Sequence, residues 1–441
     1  MSSRRRLLIK SLAQVVQVVN QGQRTLTGKA TKNIAIQDQD GPFSIVVDSE
    51  GRIEAIGTDR DVLPRYEERN FDLVINGEGK SVVPGLIDAH THPVWAGDRV
   101  HEFAMKLAGA SYLEVHAAGG GIFFTVEKTR SATEEELLES LKRRLLMMLE
   151  RGTTYVECKS GYGLDTGTEL KMLRVITKAK EQMEIGISST FCGAHAVPRN
   201  STSEEATEEI LSQQLPAVLR AKEQGDVVVD NIDVFCEKGV YDSDQSRRIL
   251  VAGKQKGLQI NFHGDELNYT ASAEVIMGAS IGATAISHLE HISDEGIEAM
   301  RQAGTVAVLL PTTAYILRLQ PPPAARLVER GVAVALGSDF NPNAFCLSMA
   351  MVMHLGCVLL KLSMPEALAA ATINSAASLG IAETHGSLEV GKMADLLLLN
   401  SPRWEHLIYQ FGCERDIIEA VVKAGKVVVS RERRSPSSAS A

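Results

Sequence analysis

The sequence has no apolar run near the ~18–20 residues of a membrane-spanning helix, so a membrane protein of that kind is not expected. Nor does it carry an excess of positive charge. Its 46 lysines and arginines stand against 55 aspartates and glutamates, a formal charge of −9. No basic stripe with interleaved aromatics is present either, which argues against a nucleic-acid partner. Cysteine pairing is missing too: Cys158, Cys192, Cys236, Cys346, Cys357 and Cys413 are scattered without a C-x-x-C. Free thiols in a reducing, cytoplasmic setting fit that pattern better than a disulfide framework. No G-x-G-x-x-G follows the first strand of the main unit, so nothing supports a dinucleotide site. No acidic residue precedes Asp38, and the opening "MSSRRRLLIKS" is arginine-rich. A transit peptide would share those features, but "LLIKSLAQVVQVV" reads more simply as an early strand of the fold.

What is present suits a globular enzyme: 44% hydrophobic and 23% charged residues, with ample chain for a core. From Gly85 onward, β-rich runs alternate with amphipathic helices. Eight strand candidates follow in order: "VVPGLIDAHTH", "TTYVECK", "IGISSTFCG", "NIDVFCE", "LQINFHG", "ATAISH", "TVAVLLP" and "VAVALGSD". The clearest helix runs from Thr133 to Arg151. Thr133 and Glu136 supply a capping box, Leu137, Leu138, Leu141, Leu145, Met148 and Leu149 recur on one face, and Gly152 ends it. Eight strands with intervening helices predict an α/β fold, a (β/α)8 TIM-like barrel of residues 84–385. The β-rich flanks, residues 1–83 and 386–430, are expected to pair into a small β-sandwich accessory domain. The charged, then small and polar, tail 431–441 is expected to be disordered.

Polar residues fall where such a barrel keeps its chemistry, at the carboxyl ends of the strands. His90 and His92 end the first strand, two residues apart and so on one side of it. His195 follows the third strand, Glu237 ends the fourth, His263 the fifth, His288 the sixth and Asp339 the eighth; Tyr162 lies just past the second. Three imidazoles and a carboxylate, His90, His92, His263 and Asp339, make a nitrogen-rich donor set suited to Zn²⁺ or Fe²⁺ with a position left for water. A lone His-x-His would carry little; the conjunction carries the argument. Glu266, three residues after His263, reads as a general acid/base or as a helix N-terminal acid favoured by the macrodipole. His288 reads as a ligand for a second metal or as the group that polarises a substrate carbonyl. Glu237 could bridge two metals or serve a structural ion pair, and Lys159 reads as an ion-pair partner on the rim. Arg99 and Tyr112 sit in the long first βα connection, where an arginine offers a carboxylate a bidentate fork but is as often simply solvated. Tyr162 and His195 have structural alternatives as well, and Asn341 and Asn343 could only shape the turn around Pro342.

The motifs "VVPGLIDAHTH", "HGDE", "GSD" and the closing "GSLEVGKMADLLLL" resemble the amidohydrolase superfamily over nearly the whole chain. "HTHPVWAGDR", "ECKSGYGL", "GAHAVP", "NFHGDE", "AISHLE" and "ALGSDFNPNA" are similar, more narrowly, to its imidazolone-ring-opening branch in histidine breakdown. The resemblance implies one metal ion, zinc or iron, divalent or trivalent, on His90, His92, His263 and Asp339. It implies catalysis by Glu266, His288 and Asp339 on 4-imidazolone-5-propanoate, giving N-formimidoyl-L-glutamate. Arg99, Tyr112, Tyr162, His195, Glu266, Asn341 and Asn343 would meet the substrate, and two chains would pair as a homodimer. Glycine is frequent among relatives where this chain has Asn343, which favours a backbone contact there. The competing readings are a deaminase of aromatic bases, whose pocket would lack an anchor at Arg99, and a non-catalytic scaffold. A scaffold would be expected to have dropped a ligand, and all four are present.

Overall fold

The apolar run "VVPGLIDAHTH" serves two different sheets. The computed structural model describes residues 5–109, 120–268 and 270–431. In it Ser81–Pro84 joins an accessory sheet and only Leu86–Asp88 enters the barrel. Gly85 makes the crossing, because a Cβ there would lie 2.2 Å from Thr154 Oγ1. The early run divides likewise into Arg5–Leu12 and Gln14–Val18, in separate sheets. Its break falls at Ser11, with φ of 61°, whose backbone N–H and hydroxyl face the Asp59 carboxylate at 3.4 and 3.3 Å.

The eight barrel strands are β1 (Leu86–Asp88), β2 (Thr153–Lys159), β3 (Gly186–Ala194), β4 (Asn231–Cys236), β5 (Gln259–Gly264), β6 (Ala285–His288), β7 (Val306–Leu309) and β8 (Val334–Leu336). They pair in parallel in sequence order. The barrel is closed by a parallel bridge between Thr91 and Phe340. Helices on the outside bury their apolar stripes. Glu134–Leu149 is typical, with both hydrogen bonds of the Thr133–Glu136 capping box formed and Leu137, Leu141, Leu145, Met148 and Leu149 buried. The acidic Ser203–Gln224 segment runs as a helix with a wider, π-helical turn at Ile210–Gln214 and Pro216 in the turn that follows.

The accessory unit is a sandwich. A four-stranded sheet comes wholly from the N-terminal segment; a six-stranded one combines Gln14–Val18, Ala35–Gln37 and Ser81–Pro84 with Leu396–Leu399, Ile418–Lys423 and Lys426–Ser430. The uninterrupted "LLLL" of 396–399 follows from burial on both faces. Leu396 and Leu398 fill the sandwich core beside Leu7, Ile45 and Val82, while Leu397 and Leu399 join the barrel core. No helix among the described residues is long and apolar enough to cross a membrane. All six cysteines are free.

Candidate active site

The strand ends converge. Asp339 N–H donates to His90 O at 2.9 Å and His92 N–H donates to Phe340 O at 2.9 Å, so β1 and β8 are joined through the residues that carry donor side chains. Gly337 permits this approach, since a Cβ there would fall 2.9 Å from the His90 Cβ. His288 and Asp339 both adopt left-handed backbone, with φ of 81° and 47°. Such strain costs a non-glycine residue roughly 1–3 kcal/mol and concentrates where a side chain must be aimed.

His90 Nε2 lies 3.2 Å from His92 Nε2, which in turn lies 3.2 Å from His263 Nε2. Asp339 Oδ1 stands 3.6 Å and 3.8 Å from the Nε2 atoms of His90 and His92. Burial, reinforced by neighbouring positive groups, holds all three imidazoles well below their usual basicity, so they stay neutral. Behind them, His90 Nδ1 is 2.8 Å from Ser287 Oγ and His263 Nδ1 is 2.9 Å from Asp233 Oδ1. An ionised carboxylate only accepts, which puts the His263 proton on Nδ1 and turns the Nε2 lone pair inward. Where such nitrogens turn their lone pairs inward together, as His263 Nε2 does, they repel unless a cation lies among them. A metal ion fits this donor set, three nitrogens and one carboxylate oxygen. Among the described residues, three overlapping groups of donors have their ligand atoms within 4.8 Å of one another: His90–His263–His288, His92–His195–His263 and His90–His92–Asp339.

Lys159 is not on the rim. Its Nζ is wholly buried behind the histidines, 2.6 Å from Asp233 Oδ2 and 2.8 Å from Glu157 Oε2, and its ammonium is held above its ordinary range by those carboxylates against the cost of burial. The chain Lys159–Asp233–His263 thus fixes one inward imidazole.

On the open side lies a cavity of about 160 Å³. His92, His263, Glu266, His288 and Asp339 line it together with Arg99, Tyr162, His195, Asn341 and Asn343. Burial pushes Glu266 up to about 7. Burial opposes a proton on His288, but the carboxylates of Glu266, 3.4 Å from Nε2, Glu290 and Asp339 outweigh it and raise the imidazole to about 10. Burial lowers His195 to about 4, and its ring stacks on His92 with centroids 4.5 Å apart and planes 8° apart. Gly161, with φ of 113°, lets the loop pass His195, whose Nδ1 is 3.0 Å from Gly161 O.

Comparison with known proteins gives this constellation a family. Residues 81–428 match the sequence profile of the amidohydrolase family, Amidohydro_1. This chain belongs to the amidohydrolase family. Members of this superfamily bind a divalent metal. Three of this amidohydrolase's relatives carry the name "Probable imidazolonepropionase". The one from Nematostella vectensis is 60% identical over 96% of this chain and 99% of its own length. Those from Homo sapiens and Dictyostelium discoideum are 58% and 51% identical, over 97% and 96% of this chain and 99% and 98% of theirs. Among solved structures, the fold resembles E. coli guanine deaminase, with TM-score 0.72 and 15% identity over 96% of this chain and 99% of that one. It also resembles an adenosine deaminase from Xanthomonas campestris solved with bound zinc, with TM-score 0.70 and 18% identity over 96% and 93% of the two chains.

Several groups of this amidohydrolase site are not evident from sequence. Asp233 and Ser287 back the histidines, and the β5–β6 register that sets His263 beside Ser287 is invisible before pairing is known. Thr313 donates to Asp339 Oδ2 at 2.5 Å and lines the cavity with Ile122, Phe235 and Leu317. "LPTTA", just past β7, holds the one available signal: a hydroxyl at a strand end. Glu237 joins none of the three donor groups; it accepts from Leu267 N–H and Asn268 Nδ2, each at 2.9 Å, and so pins the loop that carries Glu266. Asn341 does make the turn around Pro342, accepting from the N–H groups of Asn343 and Ala344, while also facing the cavity. Tyr112 lies outside the described residues.

Proposed function

We propose that this chain adds water to 4-imidazolone-5-propanoate, opening the ring between its carbonyl carbon and the adjacent nitrogen to give N-formimidoyl-L-glutamate, a step of histidine degradation. The observation that carries the reading is the identity of 51–60% with imidazolonepropionase-named relatives across 96–99% of the chain. The cavity supports it, because a cationic fork, a histidine–carboxylate pair and a nitrogen-rich donor cluster all face one small space.

In this reading His90, His92, His263 and Asp339 hold one zinc or iron ion. Bound there, it would supply Lewis-acid polarisation and lower the pKa of water toward ~7. The residues do the rest. Asp339 and His288 orient the attacking water, and Asp339, its carboxylate fixed by Thr313, accepts the proton the water loses as the new C–O bond forms. The protonated His288 donates to the oxygen on which charge develops as the carbonyl carbon becomes tetrahedral. Glu266 delivers the proton that the departing ring nitrogen needs as the C–N bond breaks. Arg99 receives the propanoate, and Tyr162 and His195 wall the ring. The six free cysteines favour a cytoplasmic setting.

The test generates the unstable imidazolone from urocanate with urocanase and follows its ultraviolet band. Native protein is expected to remove the band and yield formimidoylglutamate. Chelation should abolish this, and zinc or iron add-back should restore it. A metal-replete protein that leaves the band decaying at its spontaneous rate overturns the substrate. A deaminase reading would then be next. Arg99→Ala distinguishes the two directly: loss of charge-assisted hydrogen bonds of ~1.5–3 kcal/mol should raise KM about 10–100-fold with a smaller change in kcat.

A further inference from the structure

We propose that Glu102 is a positioning residue for substrate recognition: it fixes the rotation of the Arg99 guanidinium so that one edge of the fork is left for the substrate's carboxylate. The inference rests on the reading of Arg99 as the propanoate anchor. Sequence places the two residues three apart in "DRVHE", at the start of the helix Val100–Leu107, the spacing at which side chains on one helical face meet. The geometry is bidentate, Arg99 Nε to Glu102 Oε1 and Nη2 to Oε2, both 2.7 Å. Glu102 is 1% exposed and Arg99 10% exposed, so water does not loosen the pair.

A guanidinium has two forked edges. Glu102 occupies the side edge, Nε with Nη2, which leaves the end edge, Nη1 with Nη2, for a second carboxylate. Arg99 also lines the cavity, and no second ion-pair partner of its guanidinium is present among the described residues. Glu102 does more than neutralise. Its Oε1 accepts from Gly121 N–H at 2.8 Å, and Gly121 precedes Ile122, another wall of the cavity. One carboxylate therefore ties the anchor to the far end of the segment spanning residues 108–120.

Two roles for Glu102 predict opposite signs. If it only placed negative charge near the anchor, Glu102→Gln would strengthen carboxylate binding. If it positions the fork, Glu102→Gln sets an amide N–H₂ against a guanidinium N–H and weakens binding. Glu102→Asp keeps the charge but cannot span the same bidentate contact, and it should weaken binding too.

The experiment measures affinity of the metal-loaded protein, by calorimetry, for 3-(imidazol-4-yl)propanoate and for 4-methylimidazole. Kinetics on the imidazolone run alongside. Expected are a loss of about tenfold for the propanoate in both variants, little change for 4-methylimidazole, and KM raised more than kcat is lowered. On an Arg99→Ala background the same substitutions should have no further effect, since the role acts through Arg99. Tighter propanoate binding by Glu102→Gln, an unchanged Glu102→Asp, or a loss that persists without Arg99 would each overturn the proposal. Failure of the wild-type protein to turn over the imidazolone would instead overturn the substrate assignment, whereas the affinity difference between the two imidazoles would still test the anchor. Thermal denaturation of each variant separates a misfolded chain from a mispositioned fork.

Discussion

Glu266→Gln is expected to lower kcat by about 10²–10⁴ while leaving KM within a few-fold of wild type, the range that separates a general acid from its absence. Glutamine fills the same volume and can still accept a hydrogen bond from His288, so the cavity and its neighbours should keep their shape. What it cannot do is release a proton to the ring nitrogen. The pH profile supplies the sign. Burial raises Glu266 to about 7, so its protonated form, the one that can give a proton, is populated below that value and is lost as pH rises through it. Wild-type kcat should fall across that interval; the variant should be slow and flat there. Metal content measured by atomic spectroscopy should not change, because Glu266 stands in none of the donor groups. Glu266 lies in a loop rather than at a helix N-terminus, the next helix starting only at Ala273, so a variant that retains wild-type kcat would reduce it to a loop carboxylate and leave proton delivery to Asp339 or His288.

Lys159→Met should produce the largest loss of stability, roughly 3–5 kcal/mol, the cost of removing one member of a buried ionic group. Methionine replaces the stem but leaves Glu157 and Asp233 without the ammonium between them, 2.8 and 2.6 Å away in the native fold. Burial already holds both carboxyls above their ordinary range, with Lys159 opposing the shift. Without the lysine they rise further, so the folded protein takes up protons the unfolded chain does not. The sign follows: the destabilisation should be larger at mildly alkaline than at mildly acidic pH, where protonation relieves the buried charge. Denaturant unfolding at two pH values reads both effects. Metal retention against a chelator should fall about 10–100-fold as well, because Asp233 would no longer hold His263 in its tautomer. A stability loss under ~1 kcal/mol would mean that water or a backbone shift replaces the ammonium.

The contrast between Glu266 and Lys159 shows what the sequence made legible. Glu266 and the donors His90, His92, His263 and Asp339 stand out because a barrel strand's carboxyl end is readable from where its apolar run stops. Lys159 also ends such a run, and its place in the sequence alone suggests the rim. The difference lies in which way its side chain points and what β4 sets beside it, and both depend on Asp233, an inward acid that looks unremarkable within "NIDVFCE". The alternation of strands and helices was legible because several helices, Glu134–Leu149, Thr166–Gln182, Ser243–Lys254 and Asp294–Ala303 among them, carry their own apolar stripe and N-cap. The division of "VVPGLIDAHTH" between two sheets was not, since an apolar run buried on both sides reads the same wherever its partner strand lies. Arg99–Glu102 is half legible: an arginine in the first βα connection stands out, whereas its partner three residues on resembles any surface helix pair.

The hydrogen bonds that join β1 to β8 have a consequence for biosynthesis. As the chain leaves the ribosome, His90 and His92 emerge about 170 residues before His263 and nearly 250 before Asp339. Until β8 arrives, β1 has one neighbour, and the backbone bonds from Asp339 and to Phe340 that hold His90 and His92 in place do not exist. If His90, His92, His263 and Asp339 hold the ion as proposed, its capture would report completion of the ring rather than folding of any part of it. An ion held there acts as a clasp on the last joint made, and heating or shear that opens the barrel first at that joint would release it before the remaining strands separate.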